Sequence, residues 1–244
     1  MKHSFNLKRK LWHLLGLIIP FLLFIDIFRF LEPENPNITR WVGMWLLLAF
    51  FIFIFFVELI RMKNPKFNRF FIRFAGALMK ESEKKQFHGT VAYIFANFLL
   101  FAFFTKEIIF ISSLILMISD PIAAYVGIHY GKHKFFKGKT IEGMLAFFIS
   151  SFLISFLFLM FLSVFEFGNS VFWITQQNFI SLFFTILFVS FSCSVVEVFS
   201  FTTLNGLIDD NLTIPMTAAL TLSLLLFVFG FPLDSFFSPL LFLS

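Results

Sequence analysis

Carboxylates and lysines that suit phosphate chemistry recur at two places in the sequence. Asp120 lies inside an apolar run, and Lys139 and Glu142 follow it within 22 positions. A second acidic group, Asp209-Asp210, comes much later in the chain. Lysines and helix N-termini bind phosphate, and one or two carboxylates combine with substrate phosphates to hold Mg²⁺. These residue types therefore indicate a site for a phosphorylated ligand and a divalent cation.

Each of these groups also has a purely structural interpretation, which the sequence leaves open. Asp120 before Pro121 fits a helix N-cap followed by the first helical residue. Glu142 fits an acidic residue that favours the positive end of a helix dipole. Asp209-Asp210 fits a solvated turn. Gly127 and Gly131, four positions apart on one helix face, fit either close helix packing or the close approach of a nucleotide.

The basic segment 132–140 resembles a nucleotide-binding loop only superficially. A P-loop needs a glycine five positions before Gly138, where His133 stands instead, and no strand precedes the segment. Its lysines could anchor the chain at an anionic leaflet. Lys139-Thr140 directly before a helix start is better placed to bind phosphate. Zinc is not expected, because Cys193 is the only cysteine and no Cys/His cluster is present.

The composition identifies the class of protein that must position these residues. Hydrophobic residues make up 59% of the 244 residues and charged residues only 14%, which excludes an ordinary soluble enzyme, a disordered regulator and a disulfide scaffold. We predict an all-α polytopic membrane protein that forms a single integral-membrane domain over 1–244. About seven transmembrane helices are expected, at 11–28, 41–60, 89–105, 108–131, 143–165, 179–201 and 215–231. A short helix at 67–79, where Phe alternates with Arg, is expected to lie in the membrane interface. The pair Asp120-Pro121 is expected to break the fourth helix.

The distribution of basic residues predicts an orientation. The N-terminus and the even-numbered loops carry 16 Lys and Arg residues, and the opposite side carries three. This asymmetry predicts that the N-terminus lies in the cytoplasm, in either a bacterial plasma membrane or the endoplasmic reticulum. The basic balance, +5 overall, does not indicate nucleic acid in such a protein.

The unusual polar residues fall on this same predicted cytoplasmic side, with Asp26 as the main exception. Ionisable residues at membrane depth are costly and usually face protein or water. The sequence therefore predicts one polar pocket that opens toward the cytoplasm. A carrier would more often place its site at the midplane. The residues concerned are His13, Glu58, Arg61, His88, Thr90, Tyr93, Asn97, Thr140, Glu142, Glu197, Asp209, Asp210 and Asn211.

Four stretches resemble one family of membrane enzymes. The longest is S-D-P-I-A-A-Y-V-G-I-H-Y-G-K-H-K-F-F-K-G-K-T-I-E-G-M-L-A at 119–146. The others are R-K-L-W-H-L-L-G at 9–16, E-L-I-R at 58–61 with H-G-T-V-A-Y at 88–93, and D-D-N-L-T-I-P at 209–215. Together they resemble the dolichol kinase, phytol kinase and CTP-dependent diacylglycerol kinase family. The central stretch also resembles the phosphatidate cytidylyltransferases, whereas the first and last favour the kinases.

The resemblance implies phosphoryl transfer from CTP, with Mg²⁺ or another divalent cation, to the hydroxyl of a polyprenol, phytol-like or diacylglycerol lipid. Asp120 would hold the cation or take the hydroxyl proton, Asp209 and Asp210 would be further metal ligands, and Glu142 would support the metal or orient Lys139. The residues implied to contact the nucleotide or its phosphates are Lys134, Lys139, Thr140, Gly127, Gly131 and Gly138. Arg9, Lys10 and His13 would bind phosphate or close the pocket. The alternatives are CDP-lipid synthesis, a non-enzymatic lipid transporter and a structural membrane protein; the oligomeric state is left open.

Overall fold

The computed structural model describes residues 7–200 and 202–240, and it describes side chains from residue 11 onward. Within these residues the chain is almost entirely helical, as predicted. The helices are α1 Leu7–Leu15, α2 Ile18–Phe24, α3 Ile38–Lys63, α4 Pro65–Ala75, α5 Gly89–Phe103, α6 Lys106–Leu114, α7 Asp120–His129, α8 Ile141–Val164, α9 Phe179–Phe199 and α10 Asp210–Val228. Two short strands, β1 Lys134–Phe136 and β2 Lys139–Thr140, form a hairpin between α7 and α8.

Six segments of the described chain are long and apolar enough to cross a membrane, and α5 is a shorter apolar helix. The six are Leu11–Leu31, Ile38–Lys63, Lys106–His129, Ile141–Val164, Phe179–Phe199 and Asp210–Val228. Together with α5 they match the seven predicted spans, so the predicted polytopic all-α architecture is confirmed. The helix predicted at 67–79 is present as α4, which begins earlier, with Asn64 capping its first turn.

The first span consists of two helices rather than one. The break falls at Gly16, whose α-carbon lies against the side chain of Met117 so closely that a Cβ would be 2.9 Å from its sulfur. The freed Gly16 carbonyl accepts a hydrogen bond of 2.7 Å from the hydroxyl of Tyr93. A polar side chain of a neighbouring helix thus satisfies the irregular backbone, as membrane depth requires.

The predicted break at Asp120-Pro121 is wrong. A π-helical turn, Ile115–Ser119, joins α6 to α7, and Asp120 itself has helical dihedral angles of −63° and −46°. A proline lacks an N–H donor and its ring collides with the carbonyl four residues earlier. We attribute the continuity of the helix to the wider turn, which moves the preceding carbonyls away from the proline. Asp120 is therefore a residue of the helix and not its N-cap.

The core lies where α5, α6, the π-helical turn and α10 meet. Ile108 and Ile111 in α6, and Ile115 and Leu116 in the π-helical turn, are fully buried. The outer helices α3 and α8 instead expose large apolar side chains such as Phe53 and Leu157. An apolar exterior of this kind is suited to lipid, where exposure of Phe and Leu carries no penalty.

Candidate active site

Four contacts between distant segments gather polar side chains at one end of the helical bundle. They join α1 to α7, β2 to the end of α9, the segment after α4 to α10, and the start of α5 to the start of α10. The pairs are His13 with Asp120, Lys139 with Glu197, Lys80 with Asp210, and Gly89 with Asn211. The sequence predicts that these residues lie on one side of the membrane, and their grouping at one end of the bundle agrees with that prediction.

Asp120 lies on the inner side of α7, next to the first helix of the chain. Its carboxylate is largely buried, and its Oδ2 is 3.8 Å from Nε2 of His13. The charges of both residues act on the Asp210 carboxylate. His13 and Asp120 therefore lie close enough to Asp210 to influence it electrostatically.

Lys139 is held by Glu197 and not by Glu142, which corrects the sequence-based expectation. Its ammonium group forms an ion pair with the Glu197 carboxylate and donates a hydrogen bond of 3.1 Å to the Glu197 carbonyl. Glu142 instead accepts hydrogen bonds from His133, at 2.6 Å from Nδ1 and 3.3 Å from the backbone nitrogen. The side chain at the first turn of α8 faces the hairpin, so it cannot orient the lysine at the same time.

Thr140 and two glycines form the contact between α7 and α8. The Thr140 hydroxyl oxygen caps α8 by accepting a hydrogen bond of 3.1 Å from the Gly143 nitrogen. A Cβ on Gly127 would lie 3.1 Å from this oxygen, and one on Gly131 would collide with the Gly127 carbonyl. The structure uses both glycines for close helix packing. Contact between these glycines and a nucleotide stays a prediction.

The start of α10 presents the late acidic pair in two different environments. Asp209 is the N-cap: its Oδ1 accepts from the Asn211 nitrogen at 2.9 Å and its Oδ2 from the Asn211 amide at 2.8 Å. Burial, and then the neighbouring Asp210 carboxylate, raise the pKa of Asp209 to about 8. Asp210 points to Lys80, whose Nζ is 3.3 Å from its Oδ2. Asp209 therefore has a structural role, while Asp210 belongs to a charged cluster.

The sequence analysis missed Lys80 and left Glu197 without a role. Arg61, which is completely buried, holds the segment that carries Lys80 in place. Arg61 binds the Glu58 carboxylate at 2.9 and 2.6 Å and donates to the carbonyls of Glu83, Lys84 and Gln86. Lys80 is one of three lysines at 80–85, and nothing in their spacing distinguishes it.

These contacts define a mixed cluster of charges, here called the charged cluster: Lys80, Asp120, Lys139, Glu197 and Asp210. Lys139, Asp120 and Asp210 all act electrostatically on Glu197, and Lys80, Asp120 and Lys139 act on Asp210. Glu197 is only 5% exposed, whereas the Lys139 and Lys80 side chains are about one-third exposed. Acids lie inside and cations lie toward solvent, so an anionic ligand from the aqueous side meets the lysines first.

In the described part of the chain, no three His, Cys, Asp or Glu side chains come together as a ready-made metal site. Asp120, Asp209 and Asp210 therefore do not form a preformed three-ligand cluster. Mg²⁺ does not require one, since it is commonly held by one or two carboxylates together with substrate phosphates and water. The donor set fits a Mg²⁺ ion bound together with a phosphorylated ligand.

Several predicted site residues lie outside the charged cluster. Lys134 and Gly138 are exposed on the hairpin, and Gly138 has a φ of +86° with open space around its α-carbon. The side chains of Arg9 and Lys10 lie outside the described residues, and their roles stay predictions.

Comparison with known proteins gives relatives but no solved structure and no family model that matches. The chain is 34% identical over 105 residues to CTP-dependent diacylglycerol kinase 1 of Saccharomyces cerevisiae, which covers 42% of this chain and 36% of that protein. It is 35% identical over 94 residues to the Schizosaccharomyces pombe protein of the same name, covering 38% and 43%. It is also 28% identical over 225 residues to the uncharacterized protein RP860 of Rickettsia prowazekii, covering 89% and 93%.

The chain thus spans less than half the length of these two yeast relatives. The fold and the relatives support a membrane protein similar to the CTP-dependent diacylglycerol kinases. The resemblance to dolichol kinases, phytol kinases and cytidylyltransferases stays a prediction.

Proposed function

We propose that this protein is a membrane lipid kinase that transfers the γ-phosphoryl group of CTP to the hydroxyl of diacylglycerol. The observation that supports it most directly is the charged cluster, in which two lysines and three carboxylates from five distant segments share one end of the bundle. Phosphoryl transfer depends mainly on positioning and on neutralising phosphate charge. The names of the yeast relatives favour CTP and diacylglycerol over a polyprenol or phytol.

The proposed roles follow from exposure and charge. Lys139 and Lys80, each partly exposed, bind the phosphate oxygens, and Glu197 holds the Lys139 ammonium in place. Asp120 accepts the proton of the lipid hydroxyl, with the His13 imidazole 3.8 Å away. The new bond forms between the lipid oxygen and the γ-phosphorus as the bond to the β-phosphate oxygen breaks, and CDP leaves.

Asp210 is the carboxylate that we assign to Mg²⁺, with nucleotide phosphates and water as its other ligands. When bound, this ion neutralises phosphate charge. Lys134, Thr140 and Gly138 are given no direct part in the transfer, because Thr140 caps α8 and the other two lie on the exposed hairpin. We place the cluster, with the N-terminus, on the cytoplasmic side, where 16 of 19 basic residues are predicted to lie.

The test uses purified protein, Mg²⁺ and CTP labelled at the γ-phosphate, with diacylglycerol, a polyprenol, phytol and phosphatidate as separate lipids. We expect label in phosphatidate made from diacylglycerol, and none in pyrophosphate. Label in pyrophosphate with phosphatidate as substrate would instead identify a cytidylyltransferase. Asp120→Asn should abolish transfer while the protein still elutes as a folded species, and Glu34→Gln, an exposed acid far from the cluster, should be fully active.

A further inference from the structure

A second polar cavity lies at the other end of the bundle from the charged cluster. Its volume is about 470 Å³, and five charged residues line it: Asp26, Arg40, Lys106, Glu107 and Asp234. Arg40 is near the start of α3 and Arg61, which supports the cluster, is near its end, so the helical rise separates them by about 31 Å. The cavity is therefore distinct from the proposed active site.

Two buried charged side chains form the inner wall of this cavity. Arg40 is 3% exposed, and its guanidinium donates to the carbonyls of Phe104, at 2.9 Å, and Ser238. Glu107 is 2% exposed, and its Oε1 accepts a hydrogen bond of 2.9 Å from the Asn169 nitrogen. Among the described residues, the buried Arg40 Nε has no hydrogen-bond partner. Buried polar atoms are rarely left in this state, which points to a polar ligand.

The formal charges that line the cavity do not balance. Lys106 lies 3.4 Å from Asp26, and Arg40 acts electrostatically on Glu107, so each cation has one acidic neighbour. Asp234 is exposed on the turn Leu233–Ser235 and forms no ion pair within the described residues. Three carboxylates against two cations leave one negative charge in excess, which favours a ligand that carries a positive group.

The surroundings of the cavity indicate that this ligand comes from the membrane. Trp41, which follows the lining residue Arg40 in the sequence, is about half-exposed, as expected for an aromatic residue at a membrane interface. Phe167 lines the cavity and lies 5.6 Å from the Lys106 ammonium. A partly exposed lysine next to carboxylates offers a phosphate and an ammonium group separate partners within one cavity of ligand size.

We propose that this cavity binds the headgroup of a zwitterionic phospholipid with a primary amine, its ammonium group between Glu107 and Asp234 and its phosphate at Lys106. The geometry distinguishes it from a plain anion site, because Arg40 is already engaged by two carbonyls and the net charge is negative. A primary ammonium supplies hydrogen bonds to the carboxylates that a trimethylated amine lacks.

The test measures which lipids the purified full chain retains, by native mass spectrometry after exposure to equal amounts of phosphatidylethanolamine, phosphatidylcholine and phosphatidylglycerol. We expect phosphatidylethanolamine to be retained at least tenfold over phosphatidylglycerol, with phosphatidylcholine between them. Asp234→Asn should reduce this preference at least fivefold, because it removes the unpaired carboxylate at an exposed position. Glu34→Gln, an exposed acid at the same end outside the cavity, is the matched control and should keep it.

A second variant tests the inner wall. Glu107→Gln keeps an oxygen that accepts from the Asn169 nitrogen, so the fold is retained, but it removes the charge and should also lower the preference. Equal retention of the three lipids, or an unchanged preference in Asp234→Asn, would overturn the proposal. Soluble phosphoethanolamine, measured by thermal stabilisation in detergent, distinguishes a phospholipid from a free amine as the ligand. If it stabilises the protein and no lipid is retained selectively, the cavity binds a free amine and not a phospholipid.

Discussion

Lys139 and Glu197 form an ion pair that joins β2 to the last turns of α9, 58 positions further along the chain. The glutamate is almost completely buried, and the lysine is its only cationic neighbour with a direct contact among the described residues. A carboxylate buried in this way is costly unless it is paired. The pair therefore both stabilises the contact between the hairpin and α9 and determines where the ammonium group lies.

Replacement of Lys139 should remove most of the catalytic rate. We expect Lys139→Met to lower kcat by about 100-fold, which is the usual effect of removing one group that stabilises developing charge. Lys134→Met is the matched control, since this lysine is exposed on the paired strand β1 and should change kcat little. The measurement is transfer of label from CTP to diacylglycerol. Equal losses in both variants would mean that only the overall positive charge of the hairpin matters.

Glu197→Gln should lower activity through Lys139 and not independently of it. The amide keeps one acceptor for the ammonium group but removes the opposing charge, so the lysine is no longer held in one position. Because the two residues act as a unit, the double variant with Lys139→Met should be no less active than Lys139→Met alone. If the fold-loss of activity in the double variant equals the product of the losses in the two single variants, the two residues do not share a role.

The stability of the protein without divalent cations should fall as the pH rises from about 4 to about 8. Burial raises the pKa of Asp209 from 3.8 to about 8, so in this window the folded protein keeps a proton that the unfolded chain has released. Stability is highest where both states are protonated, and it is lost as the pH approaches the folded pKa. Asp209→Asn preserves the N-cap and should flatten the profile. Thermal unfolding in detergent with EDTA measures it, and an equally steep profile in the variant would refute this assignment.

Arg61→Lys should destabilise the fold more than any exposed arginine change. A lysine cannot reproduce the two-pronged contact with Glu58 or reach the three loop carbonyls at once. The buried carboxylate would be left partly unpaired, at a cost of about 3 kcal/mol. Thermal unfolding beside Arg69→Lys, an exposed residue of α4, provides the comparison. Similar melting temperatures for the two variants would show that the Arg61 contacts carry little energy.

Gly131→Ala should separate α7 from α8 and reduce activity. The added methyl group would meet the Gly127 carbonyl and the Thr140 side chain, and neither is a flexible chain end. Gly138→Ala is the control: its φ of +86° makes alanine unfavourable by about 1–2 kcal/mol, but the space around it is open. We expect Gly138→Ala to retain activity after folding. Activity that survives in Gly131→Ala would mean that the helices tolerate a wider spacing.

The positions of the helices could be predicted from the sequence because each membrane span is a long apolar run. The predicted fifth span, 143–165, differs by only two residues at its start and one at its end from α8, Ile141–Val164. The sequence also predicts that Asp120, Lys139 and Asp210 lie on the same side of the membrane, since every second loop returns the chain to the same leaflet.

The pairing of individual side chains could not be predicted in the same way. Glu142 is close to Lys139 in sequence, yet rotation of α8 turns it to His133, and the distant Glu197 takes its place. Lys80 lies among other lysines, and the Arg61 contacts help to hold its segment near Asp210. The π-helical turn before Asp120 could not be predicted from the hydrophobic pattern, because the residues in it are apolar whether the turn is α-helical or π-helical.

The short length of α5 bears on how deep in the membrane the proposed active site lies. With 15 residues the helix is about 22 Å long, whereas the hydrocarbon layer is about 30 Å thick. Its first residue, Gly89, packs against Asp209 and Asn211, so this short helix begins beside the late acidic pair. A diacylglycerol has no charged headgroup to lift its alcohol into water. In the proposed kinase, a short helix beside the acids would bring them closer to that alcohol than a full-length span would.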